Sequence, residues 1–295
     1  MRATRLVGWF SDPVPAFADA ILATGANSVS MGPYYVMANW NDSDVGTTAG
    51  SAESLIGAAL YARSRGLKVV WKPIIDCNNY EGDPYNSDFR TSILPTDIER
   101  WMDDYIAKCW QPFIGLMDVA ALHTELTAIS TSFAAQFIQL ISWLRSAGFS
   151  GPVTTSADLT PLNCPYWASL DWIGGDAYPT IRTDTYADAV EDWTALAEQA
   201  MVAHSQTGCG IYFGELAANL GVTLNPAQIQ LVYRAFWQVF GPLDWWTGLG
   251  FWRWPEDSSS PPAALTTSVA AGLQSYPEYD GQVAEAEPAI YLVGG

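Results

Sequence analysis

Two glutamates occupy positions from which they could act as a catalytic pair. Glu125 ends the apolar stretch 117–125 (MDVAALHTE), and Glu215 lies near the end of 210–216 (GIYFGEL). Glycoside hydrolysis needs two such groups, because one carboxylic acid protonates the leaving oxygen while the other carboxylate attacks the anomeric carbon or activates water. Either glutamate alone could be an exposed loop residue, since charged side chains are mostly on the surface. Their matched placement favours the catalytic interpretation.

Other chemically useful side chains end similar stretches. They are Trp9, Lys72, Asp76, His123, Thr124, Asp158, Asp176, Tyr178, Trp252 and Trp254. Carboxylates and aromatic rings dominate this set, which suits a sugar ligand. Two alternatives stay open: His123 could be a buried, hydrogen-bonded residue of the inner layer, and Asp158 and Asp176 could be structural carboxylates that hold loops.

The elements that must position these residues alternate between strands and helices. Short apolar, β-branched or aromatic runs predict eight strands, at 6–10, 28–33, 68–76, 117–125, 153–158, 171–178, 210–216 and 248–254. Eight strands with helical returns indicate an α/β fold, a single (β/α)₈ TIM barrel, for which about 250 residues are typical. Active residues of such barrels lie at the C-terminal strand ends, so the fourth and seventh strands would bring Glu125 and Glu215 face to face across the mouth.

Helix signals support the same organisation. Residues 96–99 (TDIE) predict a capping box with Thr96 as the N-cap of a helix at 97–110. Asn225 and Pro226 predict another helix start, and apolar spacing predicts a helix over 131–147. We expect a barrel domain over 1–274, and an acidic, proline-containing tail or linker over 275–295.

Composition excludes several function classes. The 295 residues include 31 acidic and 13 basic ones, a net charge of −18. Nucleic acids and anionic membrane surfaces require clustered Lys and Arg, and acidic polysaccharides would be repelled, so a neutral ligand is favoured. No apolar run approaches the roughly 18 residues of a membrane span, and no signal peptide is recognised.

Metal and cofactor chemistry have no sequence signature here. Only two histidines are present, which rules out an H-E-x-x-H zinc site. The four cysteines are scattered without a C-x-x-C pair, so buried free thiols are expected. We therefore predict no metal and no cofactor. The 14 Trp and 14 Tyr could equally be sugar platforms or an aromatic-rich core.

Six motifs in order carry a family resemblance. They are ATGANSV (23–29), ARSRGLKVVWKPIID (62–76), HTELTAIS (123–130), DWIGGDAYPT (171–180), IYFGEL (211–216) and GFWRW (250–254). The chain resembles clan A glycoside hydrolases, and more narrowly glycoside hydrolase family 113, the β-mannanase-like barrels. It is also similar to the related barrel domain of phage and gene-transfer-agent tail proteins.

The resemblance implies roles for individual residues. Glu125 would be the acid/base and Glu215 the nucleophile, with retention of configuration. Tyr178 would hydrogen-bond the nucleophile, and Trp252 or Trp254 would form the floor of a sugar subsite. Lys72 and Asp76 would line the cleft, and Asp176 would orient neighbouring polar groups.

Two positions depart from the family pattern. Thr124 stands where most clan members have an asparagine directly before the acid/base, and His123 precedes it. Ile74 stands where family 113 often has a histidine. Both changes bear on which sugar is bound more than on the hydrolytic chemistry.

These observations predict a retaining, endo-acting O-glycosyl hydrolase for a neutral β-linked polysaccharide, either a mannan or a host cell-surface glycan. Its partner would be a polysaccharide or oligosaccharide, with no nucleic acid and no membrane insertion. The alternative is a glycan-binding or structural module of a phage tail, with other tail proteins as partners. The expected location is a virion tail or the extracellular space, as part of a larger protein, and otherwise the cytoplasm.

Overall fold

Alternating strands and helices make up the described chain. The computed structural model describes residues 3–7, 27–48, 52–77, 88–158, 165–219, 224–251 and 290–293. The strands, in chain order, are β1 (Ala3–Val7), β2 (Ser28–Gly32), β3 (Tyr34–Met37), β4 (Thr47–Thr48), β5 (Lys68–Trp71), β6 (Ile74–Cys77), β7 (Val119–Thr124), β8 (Val153–Asp158), β9 (Trp172–Ala177), β10 (Gly210–Leu216), β11 (Trp246–Phe251) and β12 (Ile290–Val293).

Eight of these strands close into a parallel barrel. Their order around the sheet is β1, β2, β5, β7, β8, β9, β10 and β11. Ala3 pairs with Gly250, which joins the first barrel strand to the eighth. Parallel neighbours need crossover connections, and described α-helices lie in five of them: β2 to β5, β5 to β7, β7 to β8, β9 to β10 and β10 to β11. The predicted (β/α)₈ barrel is confirmed.

A small three-stranded sheet continues from the C-terminal ends of the barrel strands β2 and β5. β3 follows β2 after one residue and β6 follows β5 after two, and they pair in parallel, with β4 antiparallel to β3. The predicted single strand 68–76 is therefore two strands, separated at Lys72 and Pro73, and proline has no N–H to donate to a ladder. A Cβ on Gly32 would lie 2.2 Å from the Lys72 carbonyl oxygen, so glycine permits the close approach of the two chains here.

The described α-helices are α1 (Ala52–Ser64), α2 (Asp88–Ser92), α3 (Ile98–Tyr105), α4 (Thr127–Ser132), α5 (Ala134–Ser146), α6 (Tyr186–Thr207) and α7 (Pro226–Phe240), and short 3-10 helices cover Gln111–Phe113 and Trp167–Ser169. The Asn225 and Gln228 side chains and backbones bond reciprocally at the start of α7, which confirms that predicted helix start. At α3 the predicted cap is wrong by one residue. Asp97, not Thr96, accepts from the Arg100 N–H, and the Thr96 hydroxyl bonds to the Asn41 carbonyl oxygen instead.

Two predicted helices change form along their length. The segment 97–110 is α-helical only as far as Tyr105 and continues as a π-turn over Ile106–Trp110. The segment 131–147 divides at Phe133, whose backbone (φ −126°, ψ 42°) separates α4 from α5.

Most of the described aromatic residues belong to the core. Seven tryptophans are buried, namely Trp71, Trp101, Trp110, Trp167, Trp193, Trp237 and Trp246. Trp71 stacks on Phe113, and Trp193 packs edge-on against Phe236, so the rings fill the layer between barrel and helices. Trp143, Trp172 and Trp245 are partly buried, and Trp40 has 40% of its surface exposed. For these residues the aromatic-rich core is the better interpretation.

Three further findings concern the chain's organisation. Ile290–Val293, inside the predicted tail, pairs with β11 in parallel, while 275–289 lies outside the described residues. Cys109 and Cys209 are free thiols, Cys77 is buried, and Cys164 lies outside the described residues. Among the helices that the structure describes, none is long and apolar enough to cross a membrane.

Candidate active site

The two predicted catalytic glutamates end facing strands of the barrel. Glu125 directly follows β7, the fourth barrel strand, and Glu215 lies in β10, the seventh. Both strands shift register just before the glutamate, between Ala121 and Thr124 in β7 and between Phe213 and Glu215 in β10. Such bulges redirect the side chains that follow them.

Glu215 is buried and is held by donors on both oxygens. The Lys72 ammonium donates to Oε1 and the Tyr178 hydroxyl donates to Oε2. The side chains of Lys72 and Glu215 are 1% and 2% exposed, so this ion pair is shielded from water. Burial, together with the Glu215 charge, raises the pKa of Tyr178 above its ordinary value, so the phenol remains a donor.

Asp176 lies beside this pair on β9. Its Oδ1 accepts from the Ser156 hydroxyl and lies 4.0 Å from the Lys72 ammonium nitrogen. Its Oδ2 is buried without a hydrogen-bond partner among the described residues. Burial raises the pKa of Asp176 well above its ordinary value, with Lys72 opposing the shift and the Glu215 charge adding to it.

A glycine makes room for this arrangement. A Cβ on Gly214 would lie 2.4 Å from the Ser156 hydroxyl oxygen and 2.8 Å from Asp176 Oδ1. Any larger residue would therefore push apart the groups that line the site. The sequence GEL in β10 thus provides both the carboxylate and the space beside it.

Glu125 has a different setting. Its backbone is left-handed, with φ of 51°, a conformation that costs a non-glycine residue about 1–2 kcal/mol. Its N–H donates to the Ser156 carbonyl oxygen at 2.6 Å, and its carbonyl accepts from the Thr127 N–H at 3.0 Å, which fixes the turn. Strained backbone of this kind is concentrated at functional sites.

Arg90, on α2, bridges Glu125 to Asp76. Nη1 donates to Glu125 Oε2 at 3.3 Å, while Nε and Nη2 donate to the two Asp76 oxygens at 3.0 and 3.3 Å. Asp76 also accepts from the Tyr34 hydroxyl. Burial opposes the charge on Arg90, but Asp76 and Glu125 outweigh it and raise the pKa of Arg90. The guanidinium is therefore always charged.

Three carboxylates converge at the centre of the site. One oxygen each of Glu125, Asp176 and Glu215 lies within 4.8 Å of the others. This set is close enough to hold a metal ion, but the Lys72 and Arg90 cations already lie against it. The arrangement can donate a proton from one side of a bound group and offer a nucleophile from the other.

His123 and Thr124, the two residues before Glu125, are buried. The His123 ring packs against Phe137 of α5, and Nε2 lies 2.5 Å from the Tyr166 hydroxyl oxygen. Burial and the Lys72 charge lower the pKa of His123 to about 3, so the ring is neutral near pH 7. The Thr124 hydroxyl is buried and donates to the Pro73 carbonyl oxygen at 3.1 Å. His123 is therefore a buried, hydrogen-bonded residue, as the alternative interpretation predicted. Its ring lies on the helix side of the sheet and not in the inner layer of the barrel.

The side chains of four predicted site residues lie outside the described part of the chain. Trp9, Trp252 and Trp254 lie outside the described residues, and for Asp158 only the backbone at the end of β8 is described. Their proposed contacts with sugar therefore stay predictions.

Sequence reasoning did not single out Arg90 or Ser156. Arg90 lies in 77–95, between the predicted strand 68–76 and the predicted helix 97–110, and it is the only Lys or Arg there. A lone cation in a strongly acidic chain, next to a predicted cleft, is the signal that could have identified it. Ser156 lies in the predicted strand 153–158, but no motif marks it.

The family profile and two of the solved structures point to the same family. The profile of Glycoside Hydrolase Family 113 matches residues 39–269. Comparison with curated protein sequences gives no match. The complex structure of a GH113 β-1,4-mannanase aligns with a TM-score of 0.72 and 17% identity, covering 93% of this chain and all of that one.

Two other structures share the fold. The GH113 β-mannanase AaManA of Alicyclobacillus acidocaldarius aligns with a TM-score of 0.72 and 16% identity, over 93% of this chain and 97% of that one. A GH5-4 broad specificity endoglucanase from an uncultured bacterium aligns with a TM-score of 0.64 and 11% identity, over 90% and 86%. At these identities the likeness concerns the barrel, while the family profile spans most of the sequence. The chain belongs to glycoside hydrolase family 113.

Proposed function

We propose that this protein is a retaining endo-β-mannanase in which Glu125 is the acid/base and Glu215 the nucleophile. The observation that carries the proposal is the approach of these two carboxylates, whose oxygens lie within 4.8 Å at the ends of the fourth and seventh barrel strands. Retaining enzymes hold the two groups about 5–5.5 Å apart, whereas inverting enzymes leave about 6.5–9.5 Å for a water molecule. The short spacing favours the double displacement.

In the first step Glu215 attacks the anomeric carbon while Glu125 protonates the departing glycosidic oxygen. Lys72 and Tyr178 hold the Glu215 carboxylate in one orientation through donors on separate oxygens. Holding the nucleophile in place reduces the entropy cost of reaching the transition state.

In the second step Glu125, now a carboxylate, takes a proton from water, which attacks the anomeric carbon and releases Glu215. The partly exposed position of the Glu125 side chain, 19% accessible against 2% for Glu215, gives water a route to the base. The difference in exposure therefore matches the difference in task.

A mannan is the preferred substrate class for two reasons. The two GH113 relatives are named as β-mannanases, and the net charge of −18 favours a neutral polymer over an anionic one. The buried Thr124 and Ile74 depart from the expected sugar contacts, so other neutral β-glycans belong in the test. The tail-module alternative draws no support from the family profile or from these structures.

The test incubates the protein with β-1,4-mannan, glucomannan and mixed-linkage β-glucan and measures the release of reducing ends. The wild type should cleave a mannan, Glu215→Gln should not, and the exposed-site control Glu191→Gln should match the wild type. Proton NMR on mannohexaose should give the β-anomer as the first product. A first product of the α-anomer would overturn the nucleophile assignment, and binding of mannan without release by the wild type would overturn the hydrolase.

A further inference from the structure

Arg90 creates an apparent conflict with the role of Glu125. A guanidinium 3.3 Å from Glu125 Oε2 stabilises the carboxylate form of that residue. An acid catalyst must instead carry a proton when the substrate binds. An uncompensated arginine at this distance would therefore oppose the first catalytic step.

Asp76 supplies the compensation. It accepts from both Nε and Nη2 of Arg90, so two of its hydrogen bonds face the guanidinium where Glu125 has one. The Tyr34 hydroxyl also donates to Asp76, at the oxygen Oδ2 that accepts from Arg90 Nη2. The Arg90 and Asp76 side chains are 11% and 19% exposed, so solvent screens this triad only weakly.

We propose that Arg90 is a positioning residue for Glu125, and that Asp76 balances the Arg90 charge so that Glu125 can take up a proton before each catalytic cycle. The inference rests on the proposed function, because it needs Glu125 as the acid/base. The pair also suits the second step, since Arg90 keeps the Glu125 carboxylate aimed at the incoming water.

Other charged groups around Glu125 come from different elements. Glu215 of β10 and Asp176 of β9 lie within 4.8 Å, and both act to keep the Glu125 proton. Lys72, which follows β5, is bound to Glu215 and offsets much of that charge. Tyr178, after β9, remains a neutral donor to Glu215. None of these groups changes in the variants below, so the shifts can be assigned to the Arg90–Asp76 pair.

The test uses two substitutions with opposite expected signs. Asp76→Asn leaves the Arg90 charge uncompensated. The alkaline limb of the plot of kcat/KM against pH should therefore move to lower pH by about 1 unit. Arg90→Gln removes the cation, so the same limb should move to higher pH by about 1 unit. The double variant removes one charge of each sign and should return close to the wild-type limb.

Controls separate this effect from simple damage. Arg182→Gln removes a cation from an exposed cluster and should leave the limb in place. Arg90→Lys keeps the positive charge, so the alkaline limb should stay at the wild-type pH while kcat falls. If Arg90→Gln does not fold, as judged by circular dichroism, Asp76→Asn and the lysine variant still decide the sign.

A second readout does not depend on turnover. Carbon NMR of glutamate side chains labelled at Cδ gives the titration midpoint of Glu125, assigned by its loss in Glu125→Gln. The midpoint should fall in Asp76→Asn and rise in Arg90→Gln. Equal midpoints, or shifts of the same sign, would overturn the inference, whether or not a polysaccharide is cleaved. Failure of the polysaccharide panel with shifted midpoints would instead count against the proposed function alone.

Discussion

Glu125 and Glu215 are the same residue type in two differently built regions. Glu215 lies within a strand, just after a register shift, and is buried with a lysine and a tyrosine on its two oxygens. Glu125 lies one residue past its strand, on a left-handed backbone, with an arginine on one oxygen. In the proposed mechanism, the neighbours of the two carboxyl groups, and not their residue type, divide them between nucleophilic and proton-transfer roles.

The largest expected difference comes from removing each carboxylate. Glu215→Gln should lower kcat on the order of 10⁴-fold for every substrate, because no nucleophile remains. Glu125→Gln should be comparably slow on mannan, but should still release an activated phenol from an aryl mannoside in a rapid first turnover. Stopped-flow release of the phenol measures this. A rapid first turnover in the Glu215 variant would reverse the two assignments.

The two cations should differ in their contribution to stability. Lys72→Met leaves Glu215 buried without its counterion, and breaking a buried pair costs about 3–5 kcal/mol of unfolding free energy. Arg90→Met breaks a more accessible pair and should cost about 1–2 kcal/mol. Urea denaturation at pH 7 provides both values. Equal losses would mean that the difference in burial between the two regions has no energetic consequence.

Tyr178 allows a smaller test of the Glu215 region. Tyr178→Phe removes a hydrogen bond to a charged group, which is worth about 1.5–3 kcal/mol, so kcat should fall about 10- to 100-fold. The loss should appear in kcat more than in KM, because the phenol holds the nucleophile and not the polymer. Tyr186→Phe, at a partly buried tyrosine whose hydroxyl bonds to Gln238, is the matched control. A change confined to KM would place Tyr178 in sugar binding instead.

The smallest test concerns the backbone of the two glutamates. At Glu125, with φ of 51°, a glycine variant should be more stable than the alanine variant by about 1 kcal/mol. At Glu215, in a strand, glycine should be less stable than alanine by about 0.5–1 kcal/mol. Thermal unfolding of the four inactive variants gives both differences. The same sign at both positions would remove the left-handed turn as a distinguishing feature.

Much of the barrel could be predicted because its strands are short runs with clear boundaries. The strands 153–158 and 210–216 were predicted with the bounds that the structure has. The break at Lys72 and Pro73 and the division at Phe133 were not, because both depend on how neighbouring segments pack. The shift of the α3 cap from Thr96 to Asp97 has the same origin, since Thr96 is engaged by Asn41.

By itself, the sequence determined the strand order, the family and the two glutamates at the ends of strands four and seven. These follow from local patterns, because strand ends and motifs depend on residues that are adjacent in the sequence. Only the tertiary structure decided what surrounds each carboxyl group. Lys72 reaches Glu215 across 143 positions and Arg90 reaches Glu125 across 35, and contacts this distant in sequence are fixed by the closure of the barrel.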